Sequence, residues 1–280
     1  MSSSLAVGYA MNYRHIYHAG NFADVMKHAL LLRVLAFMRR KPKPFLVLDT
    51  HAGIGRYDVS SAQAAKTGEW RDGIGRLLSA APLALQDYVD TVNRVGLYPG
   101  SPVLAAECLR PSDRLVACEL HPEDAVVLRR VMRVYPNASV HERDGYEALG
   151  AFLPPPEKRA LVLIDPPFER GDEFQNLAKR LIATWKKFPA AVLLVWYPIK
   201  HRAPVRGFFE ALKNSAIRDV VTAELLRRPD TDPTRLNGAG VLLVNPPYGF
   251  EADAEGILQA CSELFGEAGG QAGIERLIGE

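Results

Sequence analysis

The chain of 280 residues lacks several things, and each absence excludes a class of protein. No run of eighteen or more apolar residues occurs, so no membrane-spanning helix is expected. The opening MSSSLAVGYAMNYRH has no basic stretch leading into an apolar one, which argues against a secretory leader. Cysteine is rare. Cys108, Cys118 and Cys261 fall at unrelated spacings with no C-x-x-C, so a disulfide framework and a structural metal are not expected and a reduced, cytoplasmic setting is. The phosphate-cradling pattern GxxxxGK[ST] is missing, which argues against a nucleoside triphosphatase. No internal repeat stands out, and low complexity is confined to PPPE at 154–157.

Charge is scarce only in sum. The net +2 hides a gradient: residues 1–48 carry Arg14, Lys27, Arg33, Arg39, Arg40, Lys41 and Lys43 against Asp24, while residues 249–280 carry seven acids against Arg276. A basic front end can meet a polyanion by displacing its counterions; the plain alternative is a solvated helix face.

What is present is a repeating strand, loop and helix. FLVLD (45–49), LVACE (115–119), ASVHE (138–142), ALVLID (160–165) and AVLLVW (191–196) read as buried parallel strands. VVTAELL (220–226) and GVLLVN (240–245), with a turn-rich stretch between them, read as an antiparallel hairpin at one sheet edge. Helices are expected over 21–40, 122–134, 173–187 and 203–214, the first capped by Asn21 and stopped by Pro42. Such doubly wound sheets bind ligands at the carboxyl ends of their strands.

The spacing after the first strand is irregular. A dinucleotide-type unit places its ribose-binding acid about 20 residues after the glycine loop. Here the loop is DTHAGIG (49–55), and the next strand-ending acid is Glu119, 70 residues beyond Asp49. YPGSPVLAAECL supplies the missing helix, with Ser101 as its cap and Pro102 in its first turn. Residues 56–100 are therefore expected to form an inserted helical subdomain over the ligand edge. AAKTGEWRDGIGRLL and LALQDYVDTVNRV would be its helices. The main domain then comprises 1–55 and 101–280, with 1–43 as an amino-terminal segment serving substrate and cofactor.

Four strand ends carry chemistry in order. Gly53 and Gly55 allow close backbone approach, Glu119 can accept both hydroxyls of a ribose, Asp144-Gly145 can take an adenine amine, and Asp165 opens Asp-Pro-Pro-Phe. This is the order suited to S-adenosylmethionine. Pro166 and Pro167 have no N–H, so the backbone there offers acceptors only. The Asp165 carboxylate and the Pro166 carbonyl could draw an aromatic amine toward tetrahedral geometry. Phe168 could stack on the base, an interaction worth about 1–3 kcal/mol. The chain nearly repeats the motif as Asn245-Pro246-Pro247-Tyr248. That copy belongs to the last hairpin and reads as structural; the competing possibility is that Asn245 receives the substrate.

Asp-Pro-Pro-Phe resembles the [DNS]PP[YFW] signature of S-adenosylmethionine-dependent amino-methyltransferases. Together with NYRHIYHAGNFADVMKH (12–28), FLVLDTHAGIGRY (45–57), YPGSP, ELHP, LIDPPFE, WYP and NPP, the chain resembles the bacterial J-type 23S rRNA adenine-N6 methyltransferases. The resemblance implies a Rossmann-like α/β fold of class I, S-adenosylmethionine as cofactor, no metal, and methylation of one adenine N6 in 23S rRNA. It places His28, His51, Gly53, Ser101, Glu119, Asp144, Gly145 and Asp165 around the cofactor, and Asp165, Pro166 and Phe168 at the chemistry. Tyr13, His15, Lys27 and Pro167 would serve the RNA or the catalytic pocket. Phe168 departs from the family's usual tyrosine. Family members begin near Tyr-Arg-His, so residues 1–10 look like an extension and Met11 like an alternative start. The resemblance further implies a monomer acting on protein-free or early-assembly rRNA. The alternatives are a DNA adenine methyltransferase and an RNA-binding module that keeps the cofactor pocket without turnover.

Overall fold

The structure is a computed structural model that describes residues 15–280; Tyr13 lies outside the described residues. A 3-10 turn, His15–Tyr17, leads into α1 (Phe22–Arg39), which Asn21 caps by accepting the Ala23 and Asp24 amides. Next come β1 (Leu46–Asp49), β2 (Arg56–Tyr57), α2 (Ala62–Thr67), α3 (Ile74–Ala80), α4 (Gln86–Val95) and β3 (Tyr98–Pro99). The chain continues through α5 (Ser101–Cys108), β4 (Arg114–Glu119), α6 (Pro122–Met132), β5 (Ala138–Glu142), α7 (Gly145–Phe152) and β6 (Ala160–Ile164). Last are α8 (Glu173–Lys187), β7 (Val192–Ile199), α9 (Arg202–Lys213), β8 (Val220–Leu226), β9 (Gly238–Val244), α10 (Phe250–Phe265) and β10 (Gln271–Ile278).

One sheet holds eight strands in the order β10-β8-β9-β7-β6-β1-β4-β5. β1, β4, β5, β6 and β7 are parallel. Alternate residues serve opposite faces: Val47, Leu115, Leu161 and Leu194 join the core beneath α1, α5 and α10, while Leu48, Val116, Val162 and Val195 join the one beneath α7, α8 and α9. Burial on both sides is why β1, β4, β6 and β7 read as apolar runs. β5, expected to be buried like them, is an edge strand with no buried residue, because only β4 flanks it. Among the described residues, no helix is long and apolar enough to cross a membrane.

Three further expectations need correction. The β8–β9 hairpin is antiparallel but does not form the edge: β9 lies between β7 and β8, and β10 covers the outer side of β8. Close pairing of β9 with β7 needs Gly240, where a Cβ would fall 2.1 Å from the Tyr197 ring. Ser101 is not the cap of α5. Gly100 holds that position, and Ser101 begins the helix with its hydroxyl turned to Asp49. The single helix expected over AAKTGEWRDGIGRLL is broken. α2 ends at Gly68 in the left-handed region (φ 64°), and a 3-10 turn and Gly73 precede α3. A Cβ on Gly73 would lie 2.0 Å from the Gly20 carbonyl, so the insert docks there backbone to backbone. Ile74, Leu77, Leu85, Tyr88 and Val92 share the α1 core.

Candidate active site

β1 and β6 are neighbours, yet the chain leaves β1 toward β4 and β5 on one side and reaches β6 and β7 on the other. At such a switch point the crevice outside the carboxyl ends of the strands is open to a ligand. Glu119 ends β4, and Gly53, Asp144 with Gly145, and Asp165 follow the ends of β1, β5 and β6, so all lie along this edge. Glu119 is buried and accepts the Gly53 amide at 2.9 Å and the His121 amide at 2.8 Å; burial pushes its carboxyl up. Asp144 caps α7, its Oδ1 accepting the Tyr146 and Glu147 amides.

Gly145 sits where a Cβ would meet the Thr50 carbonyl at 2.3 Å and the His51 ring at 2.8 Å. The Thr50 hydroxyl donates to the Leu163 carbonyl (2.9 Å), so the His51 contact to that oxygen (Nδ1, 2.7 Å) assigns the donor proton to Nδ1. Burial lowers His51 to about 4, which keeps the ring neutral. Asp49 is fully enclosed: Oδ2 accepts the Ser101 hydroxyl at 2.6 Å, and Oδ1 is buried without a partner. Burial pushes its carboxyl up to about 7, with the Ser101 hydrogen bond pulling the other way.

α1 delivers the other half of the site. The Lys27 ammonium lies 2.5 Å from Asp165 Oδ2 and 2.8 Å from Asp24 Oδ1, with its side chain 4 % exposed. Burial opposes that charge, but Asp165 and Asp24 more than offset it and hold the ammonium above its ordinary range. Asp24 also takes His15 Nε2 at 2.9 Å and the Gly20 amide at 3.0 Å. Its carboxyl lies well below the usual range: burial would raise it, and the charges of His15 and Lys27 prevail. His28 is lowered to about 3 by burial, and its Nδ1 meets the Tyr98 hydroxyl at 3.1 Å and the Tyr88 hydroxyl at 3.3 Å. His15 and Lys27 thus contact one carboxylate, that of Asp24.

Pro166 is buried, and Pro167 and Phe168 are half-buried. Phe168 holds φ at 51°, a left-handed conformation that costs an ordinary L-residue roughly 1–2 kcal/mol. Its ring packs 4.8 Å from Phe174 and 5.8 Å from Trp196, and Lys27 lies 6.0 Å over Trp196. The second motif is elsewhere. β9 runs against β7, pairing Val244 with Leu193, so Asn245 emerges at the opposite edge of the sheet. Its amide donates to the Pro189 and Ala191 carbonyls, both at 2.7 Å.

Asp24, Asp49 and the Tyr88–Tyr98 pair escape a reading of the sequence as site residues. Asp24 reads there as a first-turn acid and Asp49 as part of a glycine loop. A signal for Asp24 exists, because 24, 27 and 28 continue the stripe of Leu31, Val34, Leu35 and Met38 at helical spacing.

The strand order and the acids gathered at its switch point define a Rossmann-like class I methyltransferase fold. Residues 42–278 match the family described as "RsmJ: Ribosomal RNA large subunit methyltransferase D, RlmJ", and the chain belongs to that family. It is 38% identical over 257 residues to "Ribosomal RNA large subunit methyltransferase J" of Haemophilus influenzae, covering 89% of this chain and 92% of that one. Its identity to the Escherichia coli K12 protein of the same name is 36% over 279 residues, covering 96% and 100%. The crystal structure of protein LPL1258 from Legionella pneumophila superposes with a TM-score of 0.86 at 34% identity, covering 92% of this chain and 98% of that one.

Proposed function

We propose that this chain transfers a methyl group from S-adenosylmethionine to the exocyclic N6 of an adenine in 23S rRNA. Family membership supports the reaction class, and one observation carries the chemistry. Asp165 stands at the switch-point crevice, fixed by Lys27 at 2.5 Å, with Pro166 and Pro167 next to it and no N–H on either.

The residues present suit the cofactor. The buried, unpartnered Asp49 Oδ1 can accept an ammonium and Glu119 can take ribose hydroxyls, while Gly53 and Gly145 let the loops pack tightly, against Tyr57 and against Thr50 and His51, where a Cβ would not fit. His28, His51, Ser101 and Asp144 complete the wall. When bound there, S-adenosylmethionine supplies an electrophilic methyl group. The protein's part is to prepare the amine. Asp165 and the Pro166 carbonyl accept its N–H groups and orient the nitrogen lone pair, so rate comes chiefly from positioning. Lys27 occupies Asp165 Oδ2, leaving Oδ1 as the acceptor for substrate. Phe168, braced by Phe174 and Trp196, offers an aromatic surface to the base. His15, Pro167 and the 56–100 insert, which acts as a substrate-gripping subdomain, border the entry. Such a reaction belongs in the cytoplasm, with protein-free or early-assembly rRNA as substrate and one protomer sufficing.

The test is incubation with S-adenosylmethionine and unmodified, protein-free 23S rRNA, followed by digestion and mass-spectrometric counting of N6-methyladenosine. Asp165→Ala should abolish product without loss of fold. Full activity in that variant would sink the assignment, and product on duplex DNA but not RNA would move it to another substrate.

A further inference from the structure

The fold divides the positive charge of the amino-terminal segment between the site and the far end of α1. Lys27 is buried in the site, and Arg33 pairs with Asp87 (3.5 Å) and Asp253 (3.7 Å). The remaining described cations before β1, namely Arg39, Arg40, Lys41 and Lys43, are exposed and lie at the far end of α1. Lys27 and Arg40 are 13 positions apart on that helix axis, about 20 Å at 1.5 Å per residue. The loop they form enters β1 at the edge opposite the site.

More cations are brought to the same place. Arg110 donates to the carbonyls of Lys41 (2.9 Å) and Lys43 (3.1 Å), and Arg159 donates to those of Met38 (2.8 Å) and Lys43. Their guanidinium groups lie 5.8 and 5.6 Å from the Phe45 ring. The carboxylates at hand are spoken for: Asp113 binds Arg110 and Glu157 binds Arg114, each at 2.8 Å. Among the described residues, Arg39, Arg40, Lys41 and Lys43 enter no ion pair. A cation in a last helical turn complements the helix dipole, which accounts for Arg39. That effect fades beyond the turn. Arg40 lies over the Phe37 ring at 3.9 Å, which holds its guanidinium in place without neutralising it, and Lys41 and Lys43 are left unexplained. Here two arginines brace a loop that is itself basic, so like charges are held together in place of being spread apart.

We propose that loop 40–43, braced by Arg110 and Arg159, is a second contact for the rRNA substrate and holds its phosphodiester backbone about 20 Å from the base that reacts. The inference rests on the rRNA reading for its choice of polyanion. Contacts of this kind fix position and affinity through counterion release and carry no sequence preference.

The test uses the full chain as Arg40→Gln/Lys41→Gln/Lys43→Gln, with Arg40→Glu/Lys41→Glu/Lys43→Glu as the stronger variant. Arg110 and Arg159 stay intact because they hold the loop. Binding of an unmodified 23S rRNA transcript is followed by filter retention across a salt series. Methylation is measured on that transcript and on the shortest stem-loop still modified. The slope of log Kd against log salt should fall by roughly one for each lost phosphate contact, so by about 2–3. KM for the long transcript should rise about tenfold, with KM and kcat on the stem-loop held within about twofold. An unchanged slope and KM on the long transcript would overturn the proposal. So would an equal loss on the stem-loop, because the loop would then serve the site or the fold. If wild type methylates neither RNA, the functional reading fails, and the salt slope still decides whether this loop touches RNA.

Discussion

At the scale of single residues, two buried carboxylates lead to opposite expectations. Asp24 is ionised and satisfied: His15, Lys27 and the Gly20 amide all turn to it. Asp24→Asn keeps the shape and removes the charge, leaving Lys27 to Asp165 alone. Stability should fall by about 3 kcal/mol, as when one member of a buried ion pair is removed, and denaturant titration would measure it. Turnover should fall with it while KM for the methyl donor holds, because Lys27 would sit closer to neutralising Asp165. Asp49, by contrast, is held up at about 7 by burial. An unfolded aspartate titrates near 4, so between about 4 and 7 the folded chain binds the extra proton and stability declines as pH rises, levelling off above that window. Asp49→Asn cannot ionise. Its stability curve should lose this slope and, at pH 8, lie above wild type by up to about 4 kcal/mol. A thermal-unfolding series from pH 4 to pH 8 would show parallel curves for the two proteins if Asp49 were not the source.

At the scale of elements, the repeated motif separates position from composition. Asn245 adopts φ 55°, a region asparagine tolerates better than most residues, and its amide closes two carbonyls at the start of β7. Asn245→Ala should cost about 1–3 kcal/mol, seen as a lower melting temperature, with turnover per folded molecule unchanged. Lost turnover at full stability would mean that this motif serves the reaction. Strand direction decides the matter, and that much was legible: a hairpin reading of 220–245 already sends the end of its second strand away from Asp165. The inner parallel strands β1, β4, β6 and β7 were legible too, since burial on both faces leaves an apolar run; the place of β5 was read correctly but its burial was not. β10 was not, because QAGIERLI is mostly exposed and its pairing with β8 depends on residues some fifty positions away. The insert was half legible. Its helices were expected, but Gly68 and Gly73 break the first, and what fixes Gly73 is the Gly20 carbonyl from another segment. Of the site, the strand-end acids could be read in order. The Asp24–Lys27 pair could not, since charged residues on an early helix turn read as solvent-facing until the stripe they continue is seen to be buried.

At the scale of the whole molecule, α1 spans the protein from the crevice to the loop at 40–43, and the sheet is closed on the hairpin side by β10. Deleting 271–280 would bare β8, whose Val220, Val221 and Leu225 are fully buried. An unpaired apolar edge strand is a template for further strands, so the truncated protein should associate in sedimentation runs at concentrations where the full chain does not. A monodisperse truncated species would show that β10 is dispensable. The outermost strand on that flank is also the last of the sheet to be made. Every ribosome producing this protein must therefore carry a nascent sheet with one raw side until some fifty residues beyond β8 have emerged, a stretch in which neighbouring copies on the same messenger could pair with each other. Translation speed through the 227–270 stretch, and holdase chaperones that shield β8 meanwhile, would then govern yield more than the stability of the finished fold.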